Sequence, residues 1–174
     1  MKRFVCAAAI AASAALAEDK PAAQMPKPPD ELKAEQWFVG TWTCKGKRYA
    51  GTMGPEGPVA DKIQFTMDLG GFWLEVKVTP TAGPMKGKEV ANGFASWDGT
   101  QHVRFDFLTG GMARLTSKGW DGDKLVFEGE RMMGPQKQAM KHTITRKGDN
   151  EYASAFEFDG KPMSDETCTR GGEK

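Results

Sequence analysis

The chain has 174 residues, with 24 Lys and Arg against 23 Asp and Glu and only 39% hydrophobic content. That length suits one domain with a sizeable core. The near-neutral charge excludes the basic surface that nucleic acid or an anionic membrane requires, and no internal apolar run approaches the ~18 residues of a membrane span.

Residues 1–17 read as an export signal. Lys2 and Arg3 precede an apolar run from Phe4 to Leu16, and Ala15-Leu16-Ala17 is a small-residue cleavage site. Cleavage near Ala17 removes two of the basic residues and turns the net charge of +1 into a slight acidic excess. The expected location is therefore the periplasm or the medium. Cys6 leaves with the signal and lacks the Leu-x-x-Cys setting of a lipoprotein, so Cys44 and Cys168 remain as an even pair in an oxidising compartment. Residues 18–29 contain four prolines and little apolar content, which predicts a flexible Pro/Ala-rich tether. Asp30 is placed to cap a short helix through Trp37, ended by Gly40.

From there the pattern alternates with period two between turn residues. Ile63, Phe65, Met67 and Leu69 share one face, as do Phe72, Leu74, Val76 and Val78. Val103, Phe105 and Phe107 oppose Arg104 and Asp106, while Tyr152, Phe156 and Phe158 oppose Glu157. Gly70-Gly71, Asp98-Gly99, Gly110-Gly111, Asp121-Gly122 and Asp159-Gly160 suit tight hairpins. The spacing predicts about ten strands, near 41–53, 59–69, 72–79, 87–97, 101–109, 112–120, 124–132, 137–146, 151–158 and 162–170. With no helix between them, the expected fold is all-β: an antiparallel up-and-down barrel over residues 30–170, preceded by the short helix and followed by a tail at 171–174.

Closure requires the first strand to pair antiparallel with the last, so facing residue numbers have a constant sum. Cys44 with Cys168 and Trp42 with Arg170 share one such register. That register opposes two thiols, predicting a disulfide, and lays a guanidinium beside an indole.

The lead-in Val39-Gly40-Thr41-Trp42 after a short helix, with Arg170 on the last strand, resembles the calycin superfamily of lipocalins and fatty-acid-binding proteins. More particularly, the chain is similar to an uncharacterised, often exported bacterial calycin-like family. It shares that family's Gly-x-x-x-Trp/Tyr-Asp element (Gly93 to Asp98) and its polar last strand ending on Arg (Thr167-Cys168-Thr169-Arg170). The likeness covers residues 30 to 170. It implies a ten-stranded barrel and no established activity.

No catalytic constellation emerges, so an enzyme is unsupported. Gly51 to Gly57 and Gly83 to Lys88 look superficially like phosphate loops, but no helix follows them. Asp121-Gly122-Asp123 lacks the further oxygen ligands of a calcium loop. His102 and His142 are too far apart for a short-range zinc pair. His102 is expected to face solvent and His142 the interior, where the superfamily likeness makes it a candidate haem ligand. No other metal or cofactor is required. The favoured expectation is a small, largely apolar ligand bound within the barrel by Phe65, Leu74, Val76, Phe94, Phe105, Phe107, Phe127, Met140, His142, Tyr152 and Phe156, because ten strands enclose more volume than side chains need fill. The rival is a protein-interaction or protease-inhibitor-like barrel presenting its N-terminal segment. Alternate connections share an end. One end is expected to be closed by tryptophans, with Trp42 beside Arg170. The other is expected to form a mouth rimmed by Met53, Met85, Met112, Met132, Met133 and Met163, whose thioethers suit an adaptable apolar rim or Cu(I).

Overall fold

The computed structural model describes residues 26–52 and 54–171. The expected signal, most of the tether, Met53 and the final residues lie outside them. Eleven strands follow one helical segment: β1 (Gly40–Arg48), β2 (Gly57–Asp68), β3 (Trp73–Pro80), β4 (Ala91–Trp97), β5 (His102–Leu108), β6 (Gly111–Ser117), β7 (Trp120–Asp121), β8 (Lys124–Met133), β9 (Gln136–Gly148), β10 (Glu151–Phe158) and β11 (Lys161–Arg170). Each long strand pairs antiparallel with its neighbours in sequence. β6 pairs with β8, and β1 with β11, so ten strands close into a barrel with no free edge. The two-residue β7 is a spur on β8.

Three strands fall well short of the alternation's bounds: β1 ends at Arg48 instead of near 53, and glycines account for the other two. Lys86 N donates to Gly83 O and Lys88 N to Met85 O, curling the 83–88 segment off the ladder, so β4 starts at Ala91 instead of near 87. Gly119 has φ +97°, which breaks β6 before Trp120.

β1 and β11 pair with Cys44 opposite Cys168 and Trp42 opposite Arg170, the register that the constant sum requires. The cysteines form a disulfide spanning 124 residues of sequence. Both are fully buried, as is Trp42.

The expected capped helix over 30–37 is instead a 3-10 segment, Asp30–Phe38, that follows Pro29 without a side-chain cap. Three residues per turn bring Leu32, Glu35 and Phe38 onto one face, and these are the segment's buried residues. That face plugs the barrel end where the β2–β3, β4–β5, β6–β8 and β9–β10 connections lie. Phe38 stacks on Trp120 at 5.8 Å, and Trp42 Nε1 donates to Phe38 O at 2.7 Å. Two arginines hold the plug by its carbonyls. Arg170 donates to Val39 O at 2.6 Å and to Trp37 O, and its guanidinium lies 4.3 Å over Trp42. Arg146 donates to Ala34 O at 3.1 Å and lies 3.8 Å over Trp120. Among the described residues, no helix is long and apolar enough to cross a membrane.

Because the disulfide closes so long a loop, removing it should cost about 2–5 kcal/mol. Urea unfolding of the Cys44→Ala/Cys168→Ala double variant should show a lowered midpoint of that size. An unchanged midpoint would mean that backbone pairing alone closes the barrel.

Candidate functional site

Inside the barrel, above the plug, lies a cavity of about 140 Å3. Its walls are mainly Ile63 and Phe65 of β2, Leu74, Val76 and Val78 of β3, Phe127 of β8, and Met140 and Ile144 of β9. The space exists because β4 turns its small residues inward. Ala91, Gly93 and Ala95 line the cavity, and a Cβ added at Gly93 would stand 2.5 Å from Asp106 Oδ1 and 2.9 Å from Val76 Cγ1. Phe38 and Glu35 of the plug reach its floor, while Leu108, Val78 and Ala91 carry it toward the opposite end.

One polar layer crosses this apolar space. Arg104 donates through Nε (3.1 Å) and a terminal nitrogen (2.8 Å) to Asp106 Oδ2. Its other terminal nitrogen lies 2.7 Å from His142 Nδ1. Since guanidinium can only donate, Nδ1 accepts, and the imidazole proton sits on Nε2 and is donated to Ser154 Oγ at 2.9 Å. Phe156 stacks on the imidazole at 3.8 Å. Burial, then the neighbouring Arg104 charge, holds His142 well below the ordinary histidine pKa, so it is neutral. The layer is thus self-satisfied and, with one cation against one anion, carries no net charge.

At the floor the situation differs. Glu35 is 2% exposed, and burial pushes its carboxyl up to about 7 against the lowering influence of Arg146 and Arg104. His102 Nδ1 stands 3.1 Å from Glu35 Oε1, yet no hydrogen bond is aligned on that oxygen. Burial also lowers the His102 pKa, so the contact is between an imidazole that resists protonation and a carboxyl that resists ionisation.

The structure brings eight of the expected interior residues together on the cavity wall: Phe65, Leu74, Val76, Phe127, Met140, His142, Tyr152 and Phe156. Phe94, Phe105 and Phe107 are a correction. They lie on the outer face, where Phe94 and Phe107 pack edge-to-face at 6.4 Å and Phe107 is 50% exposed. Their strands are inverted because Arg104 and Asp106 find partners inside, and a one-residue change of register exchanges the two faces. His102 is corrected likewise. It is buried against Glu35 and Trp97 instead of facing solvent. Period-two reading missed Arg104, Asp106 and Glu35. The small inward stripe Ala91-Gly93-Ala95 was the available signal for the first two, and the three-residue spacing Leu32-Glu35-Phe38 for the third.

Met85, Met112, Met132, Met133 and Met163 sit at the end opposite the plug, in the connections or beside them. None lines the cavity. Met112 and Met132 face each other in register, while Met133, as the next strand residue, points to the opposite face of the sheet. Both nitrogens of His142 are engaged, which leaves neither free for iron.

No protein-family model and no curated protein matches the chain. Among solved structures, Rv2717c from M. tuberculosis is similar at a TM-score of 0.60 and 13% identity, over 84% of this chain and 100% of that one. At that identity the likeness shows the fold alone: a closed, ten-stranded antiparallel barrel.

The Glu35 carboxyl yields a pH signature. The unfolded chain loses this proton near 4.5, whereas the folded protein keeps it to about 7. Between those values the folded state binds more protons, so this contribution to stability is full below 4.5 and is lost as pH rises through 7, by about 3 kcal/mol at most. His142, with its lowered pKa, acts oppositely as pH falls below 6.5. Glu35→Gln removes only the first effect. Its urea-unfolding stability relative to wild type should therefore improve between pH 5 and pH 8, and a pH-independent difference would contradict the assignment.

Proposed function

We propose that this chain is an exported, calycin-like barrel that binds one small, largely apolar, uncharged molecule in its interior. The observation that carries the reading is the cavity: about 140 Å3, walled by apolar side chains and plugged at one end. An enclosed apolar space of about 150 Å3 takes up a molecule of benzene size, so the expected occupant is about one six-membered ring. The neutralised Arg104–Asp106 pair offers no uncompensated charge to an ion. Export is supported by the Cys44–Cys168 disulfide, which suits an oxidising compartment. Calycin-like membership is supported by the closed ten-strand meander with Arg170 over Trp42 after the Gly40-Thr41-Trp42 lead-in. Haem has no open nitrogen to bind at His142, and Met133 points to the opposite face of the sheet from the paired Met112 and Met132.

Small ring compounds such as toluene, at 100-fold over their dissociation constant, should stabilise the protein by roughly 2.7 kcal/mol and raise Tm by about 5–10 °C. Ala95→Leu, which fills the cavity from β4, should keep the fold by circular dichroism and abolish the shift. If no small apolar compound shifts wild-type Tm, the barrel is a filled scaffold and the proposal fails.

A further inference from the structure

The polar layer across the cavity passes its hydrogen bonds in one direction. A guanidinium only donates, so His142 Nδ1, 2.7 Å from Arg104, carries no proton. The imidazole proton is therefore on Nε2 and is donated to Ser154 Oγ at 2.9 Å. The Ser154 hydroxyl thus accepts from His142 and still has its own proton to place. Among the described residues, Ser154 Oγ makes no hydrogen bond besides the one with His142. Ser154 is 5% exposed and lines the cavity. Tyr152 and Phe156, two residues away on either side, share its inward face of β10, and Ile144 of β9 stands opposite. All three of those neighbours line the cavity as well. The hydroxyl therefore stands on an apolar stretch of wall, where its proton meets no protein acceptor. A buried donor without an acceptor carries the full cost of lost hydration.

We infer that Ser154 is the recognition group of the cavity, and that the ligand is a ring-sized carbonyl compound, such as a cyclic ketone, whose oxygen accepts the Ser154 proton while its ring packs against the apolar wall. This rests on the reading of the barrel as a small-molecule binder and narrows it to one chemical class. A hydrocarbon of the same size fills the space but leaves the hydroxyl proton without an acceptor. An alcohol also accepts, but brings a proton that needs a second partner. A carboxylate accepts at the cost of burying a charge beside a layer that is already neutral. A carbonyl asks only for a donor. Arg104 donates to His142, His142 to Ser154, and Ser154 to the ligand, so each bond polarises the next. The charged donor at the head of the chain thereby strengthens the hydroxyl at its end.

The test compares cyclohexanone with methylenecyclohexane, in which a CH2 group replaces the carbonyl oxygen at nearly the same shape, by isothermal titration calorimetry. Ser154→Ala should weaken cyclohexanone by about 5–10-fold, the loss of one net hydrogen bond, and leave methylenecyclohexane within about 2-fold of wild type. Infrared difference spectra of isotope-labelled cyclohexanone bound to wild-type protein should place its carbonyl stretch below the position in hexane, because the hydrogen bond weakens the C=O bond. This arm needs no variant and decides the matter even if Ser154→Ala does not fold. A bound stretch at the hexane position overturns the inference. So does an equal effect of Ser154→Ala on the two compounds, or a lowered stretch that survives in Ser154→Ala, which assigns the bond to another donor such as Arg104. Binding of methylenecyclohexane without binding of cyclohexanone overturns this inference alone. Binding of neither overturns the small-molecule reading together with it.

Discussion

The pairing of Arg104 with Asp106 inside an apolar barrel is the interaction on which the interior depends. Two charges taken out of water are costly unless each is held by well-placed partners. Here the guanidinium meets one carboxylate oxygen twice and a neutral imidazole once. The imidazole is in turn fixed by Ser154. Such a layer gives little net stability, but it sets which face of β5 points inward. Once that is set, the opposing strands must give way. Gly93 and Ala113 pair with Asp106, and Ala95 with Arg104. The cavity is the space left where those small residues stand.

The same constraint explains the outer surface. With 104 and 106 inward, Phe105 and Phe107 must point outward, next to Phe94 in the adjacent strand. Their aromatic area is partly recovered by packing on one another. The barrel thus places its charges within and some of its phenylalanines outside, against the usual hydrophobic arrangement.

The closed end is built differently, from aromatic rings and arginines. Trp37, Phe38, Trp42, Trp120 and Tyr152 form one cluster of stacked, tilted and edge-on rings. Arg146 and Arg170 lie across its indoles while donating to carbonyls of the plug. Each arginine therefore does two jobs: it covers an aromatic face and satisfies backbone groups of a short segment that cannot satisfy them itself. The disulfide ties the barrel seam just inside this cluster, one inward position along from Trp42. Plug, seam and cavity floor are consequently one packed unit. That is why Glu35, carried by the plug, is held so completely away from water.

Much of this architecture was legible along the chain. Period-two alternation with Gly-Gly and Asp-Gly turns specifies an antiparallel meander, because pleated strands send alternate side chains to opposite faces and tight turns leave no room for crossovers. The constant sum shared by Cys44–Cys168 and Trp42–Arg170 specifies the closing register, because antiparallel pairing makes such a sum a geometric identity. Alternation alone, however, does not say which of its two faces is inside. For most strands hydrophobicity decides it. For β5 it was decided by partners from β8, β9 and β10, far away in sequence, which make an interior Arg104 and Asp106 tolerable. Glu35 was legible only in part, through its three-residue spacing from Leu32 and Phe38. Its burial follows from the three-residue turn of the plug and from the barrel end that receives it, and a local pattern holds no information about what will cover it.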